Sequence, residues 1–210
     1  DQPMISSDGR YVIVFNGEIY NFRELRDDLV RDGICFLTES DTEVLLALYT
    51  REAEAMLPRL RGMFALAIWD SVTRSLFLAR DPYGIKPLYY ARTKEGWLFA
   101  SQVKALLASG MVANELDLQG QISYWLLGSV AEPRTWFRGV TALEAGTWCR
   151  FFSDEDQAYG PHKYWDIGDT WRNARPCDLS NGEVQDVVRS AVLDSVRAHL
   201  VSDVPVGVFL

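Results

Sequence analysis

Met63-Phe64-Ala65-Leu66-Ala67-Ile68-Trp69, then Asp70-Ser71-Val72-Thr73-Arg74, then Leu76-Phe77-Leu78-Ala79 decide the fold. The first run is apolar throughout and has the length of a buried strand. The polar stretch supplies a turn, and the second run reads as the antiparallel partner. Downstream, Arg80 to Gly84 is a loop. Pro87 to Tyr90 and Trp97 to Ala100 predict a second hairpin around Thr93 to Gly96. Val140 to Leu143 and Thr147 to Phe152 return to strand character, with short helices expected over 102–108 and 118–127. Upstream, Ser40-Asp41-Thr42-Glu43 is a capping box that opens a helix carrying Val44, Leu45, Leu48 and Tyr49 on one face. Residues 34–37 read as a short strand. Asn21 with Glu24 caps another helix, stopped by Gly33. Strands in hairpins with helices grouped between them define an α+β fold of layered antiparallel sheets rather than a doubly wound one.

From Ser153 to Leu179 the composition shifts to Asp, Glu, Gly, Pro, Trp and Arg without periodicity, which reads as a linker. Ser180-Asn181-Gly182-Glu183 then caps a long helix, and the chain closes on Val206-Gly207-Val208-Phe209-Leu210, an apolar strand-like run. A helix followed by a wholly apolar strand opens a parallel α/β sheet, so a second domain of another class is expected to begin there. The resulting division is 1–152, a linker over 153–179, and 180–210. Because the sequence opens in a loop and closes in mid-strand, it is expected to be an internal piece of a longer protein.

At 210 residues and 48% hydrophobic, the sequence supports a sizeable core. The net charge is −8 with Lys and Arg scattered, which makes nucleic acid and anionic membranes poor partners. No apolar run approaches transmembrane length. Three widely spaced cysteines, Cys35, Cys149 and Cys177, with no C-x-x-C, fit free thiols in a reducing cytoplasm and give no metal site.

The functional question sits in Phe15-Asn16-Gly17-Glu18-Ile19-Tyr20, after the apolar run Tyr11 to Val14. Asn-Gly is the strongest short hairpin signal. Here the return strand is missing, because a helix cap follows within a few residues, so Asn-Gly-Glu is read as the open end of a strand. Asn16 offers an amide donor, and Gly17 lets a backbone N–H approach a ligand. Two converging neutral donors suit an oxyanion. Glu18 adds a fixed negative charge for an ammonium group, and Asp41 could add a second, although Asp in a first helical turn is favoured by the dipole anyway. An amide at one end and an amine at the other describe a glutamine-like substrate.

FNGEIYNF at 15–22, SDTEVLL at 40–46, RLRGMFALAIWD at 59–70, LFLARDPYGIKPLYY at 76–90, FASQVKALL at 99–107 and SDVPVGVFL at 202–210 resemble, in this order, the glutamine-hydrolysing asparagine synthetases. The resemblance implies an N-terminal-nucleophile hydrolase fold, a layered αββα sandwich, that releases ammonia from glutamine. It further implies a C-terminal ATP-pyrophosphatase domain that uses ATP and Mg2+ to amidate aspartate. By position, Asn16 and Gly17 match the oxyanion hole, and Glu18 and Asp41 match the contacts to the glutamine amino group. A homodimer is compatible with this reading. Arg80, Asp81, Gly84 and Lys86 are weighed as architecture, with an ion pair fixing the loop.

The family's nucleophile is an N-terminal Cys whose own amine acts as base. Residue 1 here is Asp1, and no internal Cys has a free amine, so the nucleophile is expected outside this sequence. The ATP loop is expected just after Leu210, leaving no cofactor site within the chain and no activity for these residues alone. Gln102 replaces the usual Glu, and Leu143-Glu144-Ala145-Gly146 replaces Leu-Pro-Pro-Gly. Both weaken the assignment to aspartate as acceptor. Amidation of another carboxylate, on a surface polysaccharide or peptide, is the alternative within the family. A non-catalytic glutamine-binding relative is the alternative outside it. Glucosamine-phosphate synthase and the purine-pathway amidotransferase would share the glutaminase fold but not the segment from 180 onward.

Overall fold

The apolar run at 63–69 lies inside a six-stranded antiparallel sheet. The computed structural model describes residues 2–153, 158–176 and 178–200. The strands are β1 (Met4–Ile5), β2 (Tyr11–Ile19), β3 (Gly62–Asp70), β4 (Ser75–Arg80), β5 (Tyr89–Thr93), β6 (Gly96–Ala100), β7 (Val140–Ala142), β8 (Thr147–Phe152) and β9 (Ala158–Lys163). The large sheet has the order β1-β2-β3-β4-β8-β9, and the small one β6-β5-β7. The helices are α1 (Phe22–Arg31), α2 (Asp41–Glu52), α3 (Val103–Ala108), α4 (Leu118–Leu127), α5 (Ile167–Arg172) and α6 (Asn181–His199).

Period-two alternation along the strands builds the layers. Phe64, Leu66 and Ile68 of β3 and Phe77 of β4 pack with Leu25 and Leu29 of α1 and with Val44, Leu45 and Leu48 of α2. The opposite face of the same strands, Ala65, Ala67, Leu76 and Leu78, packs against Leu88, Tyr90, Trp97 and Phe99 of the second sheet. The far side of that sheet, Ala91, Leu98 and Ala100, meets Val103 and Leu106 of α3. Helices, sheet, sheet and helix stack in the order αββα, as the sequence predicts.

Four local expectations change. β2 does not end at Asn-Gly: it runs through Asn16, Gly17 and Glu18 to Ile19, paired with β3 over its whole length. Its partner lies 43 residues further on, beyond two helices, which is why the missing local return strand misleads. Residues 34–37 form no strand, although Ile34 and Phe36 pack on the first core. Asn21 makes no cap bond. Instead its amide bridges the Arg59 carbonyl and the Arg61 N–H at 2.9 Å each. The stretch read as a linker supplies β9, which pairs with β8 at the sheet edge, and α5. An edge strand tolerates Gly160 and Pro161 because one side of its backbone needs no partner strand.

Ser40 accepts the Glu43 N–H at 3.3 Å, while the Glu43 carboxylate turns to the N–H groups of Leu37 and Thr38 at 2.8 and 2.7 Å, so the box is half formed. At α6 the Ser180–Glu183 capping box is complete. The strand expected at 206–210 lies outside the described residues, as does Cys177. Among the described residues, no helix is long and apolar enough to cross a membrane.

Candidate active site

The alternation of β2 sorts its residues. Tyr11, Ile13, Phe15 and Ile19 face the helices. Val12, Val14, Asn16 and Glu18 therefore face the second sheet, which puts Asn16 and Glu18 side by side on one face. Between them Gly17 lies opposite Phe64 with φ 155°. A Cβ there would stand 2.0 Å from the Met63 carbonyl oxygen, and one on Gly62 would stand 2.2 Å from the Glu18 carbonyl oxygen. The two glycines let the strands approach where no side chain fits.

The outer edge of β2 has a consistent logic. β1 pairs only with Val12 and Ile13. Beyond it the Gln2 side chain imitates a strand, accepting the Phe15 N–H at 2.7 Å and donating to its carbonyl at 2.8 Å. Two residues on from Gly17, Asp41 Oδ2 accepts the Ile19 N–H at 3.1 Å. Gly17 has the parity of Phe15 and Ile19, so its N–H is aimed at that same edge, between the Gln2 and Asp41 side chains. Its opposite number Phe64 turns the other way, accepting from Asp81 N at 2.8 Å and donating to Asp81 Oδ2 at 3.2 Å.

The bond to Ile19 is what gathers the predicted set. Asp41 comes from the first turn of α2, 23 residues beyond Glu18, yet its carboxylate is fastened to the peptide that directly follows Glu18. Asn16, Gly17, Glu18 and Asp41 thus meet at one end of β2. Tyr20 closes this end, its N–H donating to the Arg61 carbonyl at 2.7 Å. Burial and the charge of Glu18 both raise the pKa of its phenol, and its ring lies 4.8 Å from that of His199.

Asn16 opens onto a cleft of about 190 Å³ between the two sheets, walled by Val14, Ala65, Leu88 and Phe99. At its lip Asn16 Nδ2 donates to Ser101 Oγ at 3.2 Å. Ser101 has no role in the sequence reading. The signal was present, because Trp97 and Phe99 face inward and Ser101 is the next position in phase.

Arg80 and Asp81 hold the architecture, by different means from the expected ion pair. Fully buried Asp81 accepts N–H groups from Tyr83, Ile85 and Lys86 at 3.0 Å each, besides Phe64. Arg80 donates to the carbonyls of Lys86, Gly84 and Leu143 at 2.7, 2.8 and 2.6 Å, and pairs with Glu132 at 2.9 Å. The loop is fixed through its backbone, and Lys86 contributes its peptide groups. Cys149 is buried on β8, and burial, with the charge of Glu144, pushes its thiol up to about 12. Cys35 is exposed in the loop between α1 and α2. Cys149 thus lacks the environment of an activated nucleophile.

The layered αββα arrangement is shared with a solved amidotransferase. The solved glutamine phosphoribosylpyrophosphate amidotransferase from Bacillus subtilis superposes on 75% of this chain and 31% of its own, with a TM-score of 0.54 at 21% identity, a likeness of fold. The chain belongs to the glutamine amidotransferase domain family, whose model matches residues 1–165. Asparagine synthetase [glutamine-hydrolyzing] 1 of Bacillus subtilis is 41% identical over 212 residues, covering all of this chain and 32% of that protein. A putative asparagine synthetase [glutamine-hydrolyzing] of Mycobacterium tuberculosis is 43% identical over 211 residues, covering 96% and 31%. The chain spans about a third of the length of these relatives.

Proposed function

We propose that this domain holds glutamine for hydrolysis to glutamate and ammonia, with Asn16 Nδ2 and the Gly17 N–H stabilising the oxyanion and Glu18 and Asp41 receiving the α-ammonium. The observation that carries this is the fastening of Asp41 to Ile19 N–H, which joins two carboxylates to an amide donor and an edge-directed N–H. As a nucleophile attacks the amide carbon, charge gathers on the carbonyl oxygen. Donors already in place stabilise it without reorganising. The nucleophile on this reading is the N-terminal Cys of the family, outside these 210 residues.

In the full-length protein the ammonia would amidate aspartate to asparagine in a cytoplasmic, ATP- and Mg2+-dependent reaction. The similarity to glutamine-hydrolysing asparagine synthetases supports asparagine as the product. No residue described here is assigned to ATP or Mg2+, nor to a dimer contact.

The test is ammonia release by the full-length gene product, with glutamine and with its analogue lacking the α-amino group. Asp41→Asn keeps an oxygen for Ile19 N–H but removes the charge. It should raise KM for glutamine roughly 10- to 100-fold, the worth of a hydrogen bond to a charged group, and leave the analogue unaffected. Equal effects on both substrates would make Asp41 only a tether for β2. No release from folded wild-type protein would overturn the glutaminase reading itself.

A further inference from the structure

We infer that Ser101 is a positioning residue that sets the orientation of the Asn16 amide, a role that rests on the glutaminase reading above. Ser101 lies one residue past β6, in phase with the inward-facing Trp97 and Phe99, and Asn16 lies in phase with Val14 on the facing strand. The residues of β3 opposite Asn16 and Val14 are small, Ala65 and Ala67, and their size leaves the cleft between the sheets open. At that lip the bond from Asn16 Nδ2 to Ser101 Oγ is a polar link between the sheets.

The chemistry of an amide makes this link matter. Asn presents two N–H donors at one corner and a carbonyl oxygen at the other, and its terminal torsion is broad and two-fold. Asn16 is exposed, so packing alone does not choose between them. With the carbonyl turned outward, the side chain would repel an oxyanion. A bond from Nδ2 to Ser101 anchors the NH2 corner toward the cleft, uses one N–H, and leaves the second for the substrate. An oxyanion donor acts through being aimed before the charge arrives, and Ser101 supplies the aim without touching the substrate.

The experiment is a double-mutant cycle on glutamate release by the full-length gene product, reading kcat and KM separately. Ser101→Ala should lower kcat roughly 3- to 10-fold, about one net hydrogen bond, with KM for glutamine little changed. Ser101→Thr, which keeps a hydroxyl, should restore most of the loss. In an Asn16→Ala background, Ser101→Ala should have less than about a 2-fold further effect, since coupled residues are not additive. A wild-type kcat for Ser101→Ala, or the same loss in both backgrounds, would overturn the inference while the glutaminase reading stands, provided Asn16→Ala is itself impaired. If Asn16→Ala is unimpaired, the assignment of Asn16 as an oxyanion donor falls and takes the role of Ser101 with it, while glutamine hydrolysis itself stands.

Discussion

Gly17 shows how one residue carries two demands. It must give its N–H to the strand edge, and it must leave room for the Met63 carbonyl, which a Cβ would approach to 2.0 Å. The second demand excludes a side chain. Gly17→Ala should therefore destabilise the domain by at least ~2 kcal/mol, the scale of overpacking against an atom that cannot rotate away. That corresponds to a fall in Tm of roughly 4–8 °C for a chain of this size. Thermal unfolding followed by circular dichroism checks it, and an unchanged Tm would mean that β2 and β3 can separate freely at this point. Asn16, Gly17 and Glu18 were legible from the sequence because their chemistry is local. The hydrogen bond of Asp41 to Ile19 was not, since nothing in the spacing of 19 and 41 says that a helix start will reach a strand end.

At the scale of elements, the strand pair β2–β3 is fastened at its two ends by different means. At one end the two glycines bring the backbones together. At the other, Arg10 grips Asp70 with two hydrogen bonds of 3.0 and 2.7 Å. The Arg10 guanidinium, aided by Thr73 and the Val72 N–H, holds the Asp70 carboxyl well below the usual carboxylate range, against the opposing pull of burial. A carboxyl whose folded pKa is depressed stabilises the fold fully above its unfolded value near ~4 and loses that contribution as pH falls toward the folded value. Asp70→Asn should lower Tm at pH 7, and the gap to wild type should narrow steadily below about pH 4. A gap that persists at the lowest pH would assign the effect to packing. The hairpin β3–β4 and the helices α2 and α6 were readable from periodicity and caps. β9 was not, because Gly160, Pro161 and His162 carry no alternation, and an edge strand is held by its backbone. The end of β2 was misplaced for a related reason: its partner β3 is distant in sequence, and a search for a nearby return strand finds none.

For the whole molecule, layered antiparallel sheets followed from strands arranged in hairpins, and the αββα order from the family resemblance. What alternation could not give is the offset between the two sheets. That offset brings Ser101 over Asn16 and leaves a cleft rather than a filled core at the end of β2. The Arg80–Asp81 loop shares in this. Its bonds reach from Phe64 on β3 to Leu143 beyond β7, tying one sheet to the other behind the cleft. The chain belongs to the glutamine amidotransferase domain family, and the proposed role of its candidate site is to stabilise an oxyanion on a glutamine amide. The most direct measurement is kcat for glutamate release by the full-length gene product carrying Asn16→Ala. Loss of one oxyanion donor predicts a fall of roughly 10²- to 10³-fold with the protein still folded. A rate near that of the wild type would reduce Asn16 to a strand residue and contradict the assignment of the site.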